Sequence, residues 1–489
     1  MRPNSVEPGR GGTGRKTPRS ARIAALTAAV AAAVLLAAGC SSSSSTTSAP
    51  APATSSSAAA TSSSAAPASS AATSPSASPA GTAPGSDVGL TATTIKVGVI
   101  ADVNNPLVPG LFQMSVNAMN AWAKDVNAAG GIAGRQVVID FCDSKLDPNA
   151  TSNCVIKACQ NDFALVGTEA NALEDISDID GCKNAEGKAV GLPDLAAIAF
   201  LPLGCDPDTY TIGGTGSYCA TAKDSAPTFQ VPVGDTRYLV SQNKDLHGIW
   251  MYDSDVPTFK LTQSPVFQAE SNLGIKKDGQ GFYALSGSAP QSALTPFIQQ
   301  IKASGSTFVY DDVTTQSMVL VRREAALQGV NTVKVWECNS GCYDPSFYAQ
   351  GGAAVNGTYA NLLNLPYLSD YKANPALDKL VTDLGGLSKV NNNAIDAYMM
   401  GFLFEDVVNA ATANGGTLNR ETLFTALKNE HNFTADGMLG STDIGNRAGS
   451  NCSVLVQLQN GVWNRVNPVK LGTFDCNPAN VATIKMSAS

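Results

Sequence analysis

The sequence predicts an α/β fold in which two doubly wound parallel sheets form two lobes. Strands rich in β-branched residues alternate with helices over much of the region 94–336. This alternation indicates βαβ units and therefore parallel sheets. It is found before residue 200 and again after residue 246, which favours two sheets. Ligands bind at the carboxyl ends of the strands in such sheets, so the loops there are the candidate sites.

The first group of elements opens with a strand over 94–101, where apolar residues are nearly continuous. A helix over 111–129 follows and ends at a Gly-Gly pair, which favours helix termination. A strand over 136–141 precedes a helix that Asp147 caps and Pro148 opens. A third strand is expected over 163–167, and a helix over 173–184.

The second group repeats the pattern from residue 246 onward. Strands are expected over 246–252, 281–285, 307–310 and 332–336. Helices are expected between them, over 264–273, 294–303 and 316–328. Because a helix separates each strand from the next, the second group also predicts a parallel sheet.

Residues 1–39 are predicted to be an export signal. Six basic residues and one acidic residue precede an uncharged apolar run over 23–38. This run is shorter than the ~20 residues that span a bilayer. The sequence Ala-Ala-Gly-Cys at 37–40 resembles a bacterial lipobox, whose cysteine is diacylated and becomes the mature N-terminus. Cys40 is therefore the expected lipid anchor to the membrane, and plain secretion is the alternative.

Residues 40–87 are predicted to be a disordered tether. They are almost entirely Ser, Ala, Thr, Pro and Gly, so they bury too little apolar area to offset the entropy of ordering. The tether would reach roughly 40 Å. Removal of the signal takes six of 32 basic and one of 40 acidic residues, which leaves a formal charge of −13. So acidic a chain is not expected to bind nucleic acid.

The ten cysteines beyond Cys40 are expected to form disulfides, because an exported chain meets an oxidising environment. Ten cysteines allow ~945 pairings, and sequence alone does not choose among them. Proximity suggests Cys142–Cys154, Cys159–Cys182, Cys205–Cys219, Cys338–Cys342 and Cys452–Cys476. No Cys-x2-Cys pair is present and there are two histidines, so no metal or other cofactor is expected.

Several segments together resemble a known family. They lie at 95–100, 126–135, 143–148, 165–167, 294–305, 322–329, 357–359, 394–398 and 417–427. In this order and spacing they resemble the type I periplasmic solute-binding proteins, which include the branched-chain amino-acid receptors of ABC importers. The resemblance covers residues 93–470, nearly the whole head.

The resemblance implies two lobes joined by three crossover strands, near Val231, Leu362 and Ser441. Lobe 1 would comprise 88–231 plus 362–441, and lobe 2 would comprise 232–361 plus 442–489. A small-molecule ligand would bind in the cleft between them. An ABC permease would be the partner, and a monomer is expected.

The resemblance also implies which loops hold the ligand. The candidate contacts on those loops are Glu169, Asn171, Ala196, Ala197, Asp255, Thr314, Glu337, Asn339 and Tyr343. Either Glu337 or Asn339 would pair with a ligand ammonium. The loop over 194–198 lacks the hydroxyl that amino-acid receptors usually offer to a ligand carboxylate. Asn171 is equally a candidate helix cap, and Asp311 and Asp312 are expected to serve as loop or cap residues.

The predicted function is capture of a small polar molecule, an amino acid or related compound, outside the cytoplasmic membrane for delivery to the permease. An enzyme is not expected, because the chain has no Gly-x-Ser-x-Gly elbow, no His-Glu-x-x-His and no dinucleotide fingerprint. A ligand-sensing receptor on the same scaffold, an extracytoplasmic hydrolase and a cell-wall interaction protein are the alternatives.

Overall fold

The computed structural model of the chain describes residues 82–105, 109–173, 177–201, 203–255 and 259–486. The export signal predicted over 1–39, the lipid anchor Cys40 and the tether as far as residue 81 lie outside the described residues. In the part that is described, no helix is both long and apolar enough to cross a bilayer.

The first sheet has five strands, all parallel to their neighbours, in the order β2-β1-β3-β4-β5. The strands are β1 (Thr94–Ala101), β2 (Gln136–Asp143), β3 (Ala164–Thr168), β4 (Asp194–Ala196) and β5 (Thr209–Tyr210). Since β1 lies between β2 and β3, the strand order reverses there. Such a reversal opens a crevice at the carboxyl ends of the strands.

A separate two-stranded ribbon pairs β6 (Thr228–Pro232) with β15 (Val481–Lys485) in antiparallel fashion. In the sequence, β6 lies between the two groups of strands, and β15 is the last strand of the described chain. The strand near Val231 is thereby hydrogen-bonded to the last strand of the chain.

The second sheet contains five parallel strands in the order β8-β7-β9-β10-β11, extended by β12 and β13. The strands are β7 (His247–Asp253), β8 (Lys276–Leu285), β9 (Phe308–Asp312), β10 (Val335–Cys338), β11 (Thr358–Leu362), β12 (Cys452–Gln459) and β13 (Val462–Asn467), with β14 (Asp475–Cys476) paired to β12.

Strands β12 and β13 are antiparallel, so the second sheet is not wholly parallel as predicted. Strand β12 returns antiparallel to β11 after the long segment 363–451. The two-residue turn Asn460-Gly461, whose φ values are 51° and 80°, then reverses the chain into β13. Two positive φ angles in succession make a tight hairpin turn that suits twisted antiparallel strands. The Asn-Gly pair therefore adds β13 as an antiparallel edge strand.

Helices cover the sheets. They are α1 (Gln113–Ala128), α2 (Pro148–Asn161), α3 (Ser177–Asp180), α4 (Gly216–Thr221), α5 (Gly234–Gln242), α6 (Phe259–Asn272), α7 (Gln291–Ser304), α8 (Thr315–Leu327), α9 (Pro345–Gly351), α10 (Tyr367–Asp370), α11 (Pro375–Asp383), α12 (Asn392–Thr412) and α13 (Arg420–Lys428). Most of the predicted elements are present, with bounds shifted by a few residues. As predicted, Asp147 caps α2 by accepting from the Ala150 N–H over 2.8 Å.

Helix α12 packs on the first sheet through β3 and against α1. Trp122 of α1 and Phe404 of α12 meet edge to face, with ring centroids 6.2 Å apart. Gly401 permits this approach, because a Cβ there would lie 2.6 Å from the Trp122 ring. Trp122 and Tyr398 are both buried, as their positions on apolar helix faces predicted. This packing ties a late helix to the first sheet.

The helix predicted over 173–184 is wrong in extent, since only the four residues of α3 are helical among those described there. Gly181 follows α3, and Cys182 is bonded to Cys159 of α2. A β-bridge then joins Lys183 to Ala189. The chain turns back at this point because the disulfide and the bridge hold it, which local helical spacing does not reveal.

Residues 82–87, placed by the sequence in the tether, hydrogen-bond to the head. Arg135 donates to the Ala83 carbonyl over 2.8 Å, and the Leu418 N–H donates to the Pro84 carbonyl over 2.8 Å. The Asp87 carboxylate accepts from the backbone N–H of Arg420 over 2.8 Å. The folded head therefore includes these residues.

Five disulfides join the cysteines of the head. The pairs are Cys142–Cys154, Cys159–Cys182, Cys205–Cys219, Cys338–Cys342 and Cys452–Cys476. They are the pairs that proximity in the sequence suggested. Cys338 ends β10, and the last pair joins β12 to β14.

Candidate functional site

A cavity of about 350 Å³ lies at the carboxyl ends of β9, β10 and β11. Asp312 closes β9, Asn339 follows β10, and Leu363 follows β11. Asn392 and Asp396 of α12, the helix packed on the first sheet, also line it. The cavity is thus built from strand ends of the second sheet and a helix that belongs to the first.

Four carboxyl groups line this cavity. Asp235 lies in the first turn of α5, and Glu270 lies on the face of α6 that also carries the lining residue Val266. Asp312 and Asp396 complete the set. A fifth carboxyl group, that of Glu337 in β10, is 1% exposed and interacts electrostatically with Asp235 and Glu270.

Burial dominates the ionisation of these acids. It raises the pKa of Glu270 to about 8, with the Asp235 carboxyl adding to the effect. Burial also raises the pKa of Asp396 to about 8 and that of Asp312 to about 7. The pKa of Glu337 is raised well above its ordinary value by burial and by Asp235. Each carboxylate is costly here unless a cation or a donor approaches it.

Each acid of the lining has at least one donor from the protein. The Trp250 indole N–H donates to Glu270 over 2.5 Å, the Thr236 N–H donates to Asp235 over 2.8 Å, and the Asn392 amide donates to Asp396 over 3.0 Å. The Asn339 side chain hydrogen-bonds to Asp312.

The Glu337 carboxyl group has the Asp235 carboxyl group as its hydrogen-bonding neighbour, and no other described donor reaches its oxygens. The side-chain carbonyl oxygens of Gln263, Asn361 and Asn392 are buried without a partner in the part of the chain that the structure describes. Buried acceptors are normally satisfied, so these oxygens mark places where a donor fits.

Positive charge is missing from the wall. Of the described residues that line the cavity, none is Lys, Arg or His. Within the described ranges, every ion pair is made by a carboxylate that does not line the cavity. The cavity therefore offers oxygen acceptors and carboxyl groups that an approaching positive charge would ionise, and it suits a ligand that carries donors and positive charge.

Two predicted contacts belong to this region. Asn339 lines the cavity, and its side-chain oxygen accepts from the Gly341 N–H over 2.9 Å. Glu337 is buried in β10 and interacts with Asp235 and Glu270. The carboxyl group of a third, Glu169, is fully buried, and Asp396 contributes to the raised pKa that burial gives it. The structure thus brings these three predicted residues toward one cavity, and ligand contact stays a prediction for each.

Other predicted contacts lie elsewhere. Asp255 is exposed and accepts from the Ser286 hydroxyl over 2.8 Å, while Thr314 caps α8 by accepting from the Ser317 N–H over 3.0 Å. The Tyr343 hydroxyl accepts from the Leu368 N–H over 3.0 Å within the core. None of these side chains lines the cavity.

The remaining predicted contacts follow β3 and β4. Asn171 does not cap a helix through its side chain in the described region; its backbone N–H donates to Asp102 over 2.8 Å. Ala196 and Ala197 are buried, and the Ala197 N–H donates to the Thr168 carbonyl over 3.1 Å. These three residues also lie outside the cavity lining.

The acids that line the cavity were not predicted from the sequence as ligand contacts. Asp235, Glu270 and Asp396 were not among the candidate contacts, and Asp312 was expected to serve as a loop or cap residue. Two of them carried a signal. Glu270 follows Val266 by four residues and Asp396 follows Asn392 by four, so each acid shares a helix face with another lining residue. An acid on the buried face of a helix is the pattern that could have found them.

The chain matches a known protein family. A family model described as periplasmic binding protein matches residues 94–223 and 254–462. No curated protein is significantly similar to the chain in sequence.

Solved structures show the same fold. A fatty acid ABC transporter substrate-binding protein from Thermomonospora curvata has 17% identity and a TM-score of 0.60, and the match covers 81% of this chain and 99% of that one. An ABC transporter substrate-binding protein from Aeropyrum pernix has 17% identity and a TM-score of 0.61, with coverage of 78% and 98%.

A third structure was solved with a ligand. It is the branched-chain amino acid transporter substrate-binding protein from Streptococcus pneumoniae in complex with isoleucine, with 15% identity, a TM-score of 0.57 and coverage of 76% and 100%. The predicted α/β class and the predicted family are confirmed. With the family model matching more than half of its residues, this chain belongs to the periplasmic binding proteins.

Proposed function

We propose that the protein captures a small polar molecule, an amino acid or a related compound, outside the cytoplasmic membrane and delivers it to an ABC permease. The observation that carries this proposal is the cavity at the carboxyl ends of β9, β10 and β11. Its opposite wall is α12, which packs on the other sheet. A ligand held there touches elements of both sheets, as capture between two bodies requires.

The mechanism is a shift in population between open and closed arrangements. Lobe 1 is proposed to comprise 88–231 plus 362–441, and lobe 2 to comprise 232–361 plus 442–489. A ligand that binds the closed arrangement more tightly raises its population by the difference in affinity. The permease would then recognise the faces that closure brings together. The solved structures of ABC transporter binding proteins with this fold support that role.

The location is proposed to be the outer face of the bacterial cytoplasmic membrane, with a lipid on Cys40 and a monomeric head. The basic and apolar segment over 1–39 and the Ala-Ala-Gly-Cys sequence at 37–40 support the anchor. Family membership supports the extracytoplasmic location. A catalytic role is not proposed, since the family consists of binding proteins.

A thermal-shift screen tests the function. A ligand that binds only the native state raises the melting temperature in proportion to the logarithm of its concentration above Kd. The screen should contain amino acids, amides, amines, aromatic acids, fatty acids and short peptides. At least one class should raise the melting temperature. If no class does so, and mass spectrometry finds no small molecule on the native protein, the proposal fails.

A further inference from the structure

The carboxyl groups in and beside the cavity come from two sets of elements: α5, α6, β9 and β10 on one side, and α12 with the loop after β3 on the other. Asp235, Glu270, Asp312 and Glu337 are the sheet-side acids, and Asp396 and Glu169 are the helix-side acids. Glu270 interacts electrostatically with Asp235 and Asp312, and Glu337 interacts with Asp235 and Glu270. Glu169 interacts instead with Asp396. Carboxyl groups thus line the cavity from α5, α6 and β9 on one side and from α12 on the other, and a bound cation would hold them ionised.

A second observation points to a ligand with hydrogen-bond donors. Asn392 is 6% exposed and lines the cavity, yet its side-chain oxygen has no partner among the residues described. The side-chain oxygens of Gln263 on α6 and Asn361 on β11, which also line the cavity, are equally unpartnered within the described part of the chain. An ammonium group supplies three donors with its positive charge, so it satisfies acids and amide oxygens together.

The spacing of the acids argues against a metal ion. In the described ranges, three carboxylate oxygens meet within 4.8 Å only at Asp180, Asp206 and Asp208, and none of these residues lines the cavity. A divalent cation needs several oxygens at roughly 2–2.6 Å from one point. The cavity acids are spread more widely, which fits an organic cation.

The wall also argues against a ligand carboxylate. No Lys, Arg or His is found among the described lining residues, so a carboxylate would meet acids and unpartnered oxygens. Burying it there without a cation would be costly. A zwitterionic amino acid is therefore a poorer match than a molecule that carries positive charge alone.

From these contacts, and on the basis of the proposed function, we propose that the ligand is a small linear diamine. One ammonium group binds among the sheet-side acids, in contact with Asp235 and Glu270. The other binds Asp396 and the free oxygen of Asn392. The methylene chain between them lies against the apolar part of the lining, which includes Ile212 and Val266.

Isothermal titration calorimetry on the purified full-length chain tests this assignment. The probes are linear diamines of three to six carbons, lysine, butylamine, leucine and Ca²⁺. Lysine keeps two ammonium groups but adds a carboxylate, and butylamine has a single ammonium. At least one diamine should bind tenfold or more tightly than lysine and butylamine.

Three variants locate the contacts. Glu270→Gln and Asp396→Asn should each weaken binding of the best diamine about tenfold and reduce its advantage over butylamine. Glu405→Gln is the control on the same helix as Asp396; Glu405 accepts from the Trp122 indole over 2.7 Å and lies outside the lining. It should leave the diamine Kd unchanged. Circular dichroism checks that each variant is folded, and the probe series on the unmodified protein does not depend on the variants.

Several outcomes would overturn the assignment. Lysine binding as tightly as the best diamine would show that the site accepts a carboxylate, and equal binding of butylamine would show a single cation point. Tight Ca²⁺ binding that displaces the diamine would show a metal site. If leucine or another solute from the thermal-shift screen binds and no diamine does, the diamine assignment fails while the proposed function stands. If nothing binds at all, both fail.

Discussion

Asn392 donates a hydrogen bond from its side-chain nitrogen to Oδ2 of Asp396, one turn further along α12, over 3.0 Å. The amide is thereby oriented with its nitrogen toward an acid, and its oxygen is left buried without a partner in the described region. A single side chain thus both supports the helix-side acid and presents an acceptor to the cavity. Residues spaced by four on a helix share a face, which makes this pairing possible.

Replacing Asn392 with Ala should weaken binding of 1,4-diaminobutane about tenfold. The change removes one acceptor for the ligand and the donor that favours the charged form of Asp396, and such bonds to charged groups contribute roughly 1.5–3 kcal/mol each. Titration calorimetry measures the effect. Asn409→Ala, at an exposed position on the same helix, is the matched control. Equal affinities for the two variants would contradict a role for Asn392 in the site.

The ligand-free protein should melt at a higher temperature at pH 5.5 than at pH 8.5. The pKa values of Glu270 and Asp396 are raised by burial to about 8, and that of Asp312 to about 7. Between the ordinary pKa values of 3.8 to 4.5 and the raised ones, the folded state holds protons that the unfolded chain has released, so stability falls progressively as the pH rises from about 4 to about 8. A difference of ~3 °C or more is expected in scanning calorimetry.

Neutral variants supply the control for the pH effect. Glu270→Gln and Asp396→Asn should flatten the dependence between pH 5.5 and 8.5, because an amide has no proton to lose. Glu186→Gln, at an exposed position, should leave it as it is. An unchanged slope in both neutral cavity variants would mean that other groups govern the pH dependence.

The sequence predicted the alternation of strands and helices well because each element carries its own periodicity. It predicted the site less well, because the cavity joins residues distant in the chain. Asp235, Glu270 and Asp396 lie on three helices, and only the fold brings them together. Tyr343 shows the opposite error. It follows Cys342 in a loop, yet Trp463 of β13 packs against its ring with centroids 5.4 Å apart, and local sequence does not identify that partner.

Arg420 is a buried cation whose role is structural. Its guanidinium donates to the carbonyl oxygens of Cys159, Asp162, Phe163 and Lys183 over 2.6–3.2 Å. The side chain is fully buried, and it connects α13 to the end of α2 and the start of β3. One fork of donors thus satisfies four carbonyls at once.

Arg420→Ala should lower the free energy of unfolding by about 3–5 kcal/mol, since it leaves buried carbonyls unpaired. Arg420→Lys should recover only part of the loss, because an ammonium lacks the planar fork. Chemical denaturation measures both. Arg323→Ala, at an exposed position on α8, is the control and should change stability little. A loss below ~1 kcal/mol for Arg420→Ala would show that water replaces these bonds.

Cys40→Ala should release the protein from the membrane. Lipid on a mature N-terminal cysteine is the proposed anchor. If the variant keeps its signal segment, the apolar run over 23–38 is still shorter than the ~20 residues that span a bilayer, so it does not replace the lipid. Fractionation of cells followed by immunoblotting measures the partition. Ser41→Ala, the adjacent change, should leave the protein with the membrane. Equal membrane partition of Cys40→Ala and the unmodified chain would exclude the anchor.

Loss of one disulfide should lower stability more, and loss of another should weaken binding more. Removing Cys452–Cys476 by two Ser substitutions opens a link across 24 residues, and loop entropy predicts a loss of roughly 3.5 kcal/mol. Removing Cys338–Cys342 opens a link across four residues, for which the same relation predicts roughly 2 kcal/mol. Denaturation of each double variant measures the difference.

Binding should rank the two double variants the other way. Cys338 lines the cavity with Asn339 and Ser340, whereas Cys452 and Cys476 do not line it. Loss of the Cys338–Cys342 bond frees the segment that carries Asn339, so the affinity for 1,4-diaminobutane should fall several-fold. The Cys452–Cys476 variant should keep its affinity at temperatures where it is folded. If calorimetry shows the larger loss of affinity for the Cys452–Cys476 variant, the short disulfide does not position the cavity wall. Strand β10 alone would then hold the segment that carries Asn339.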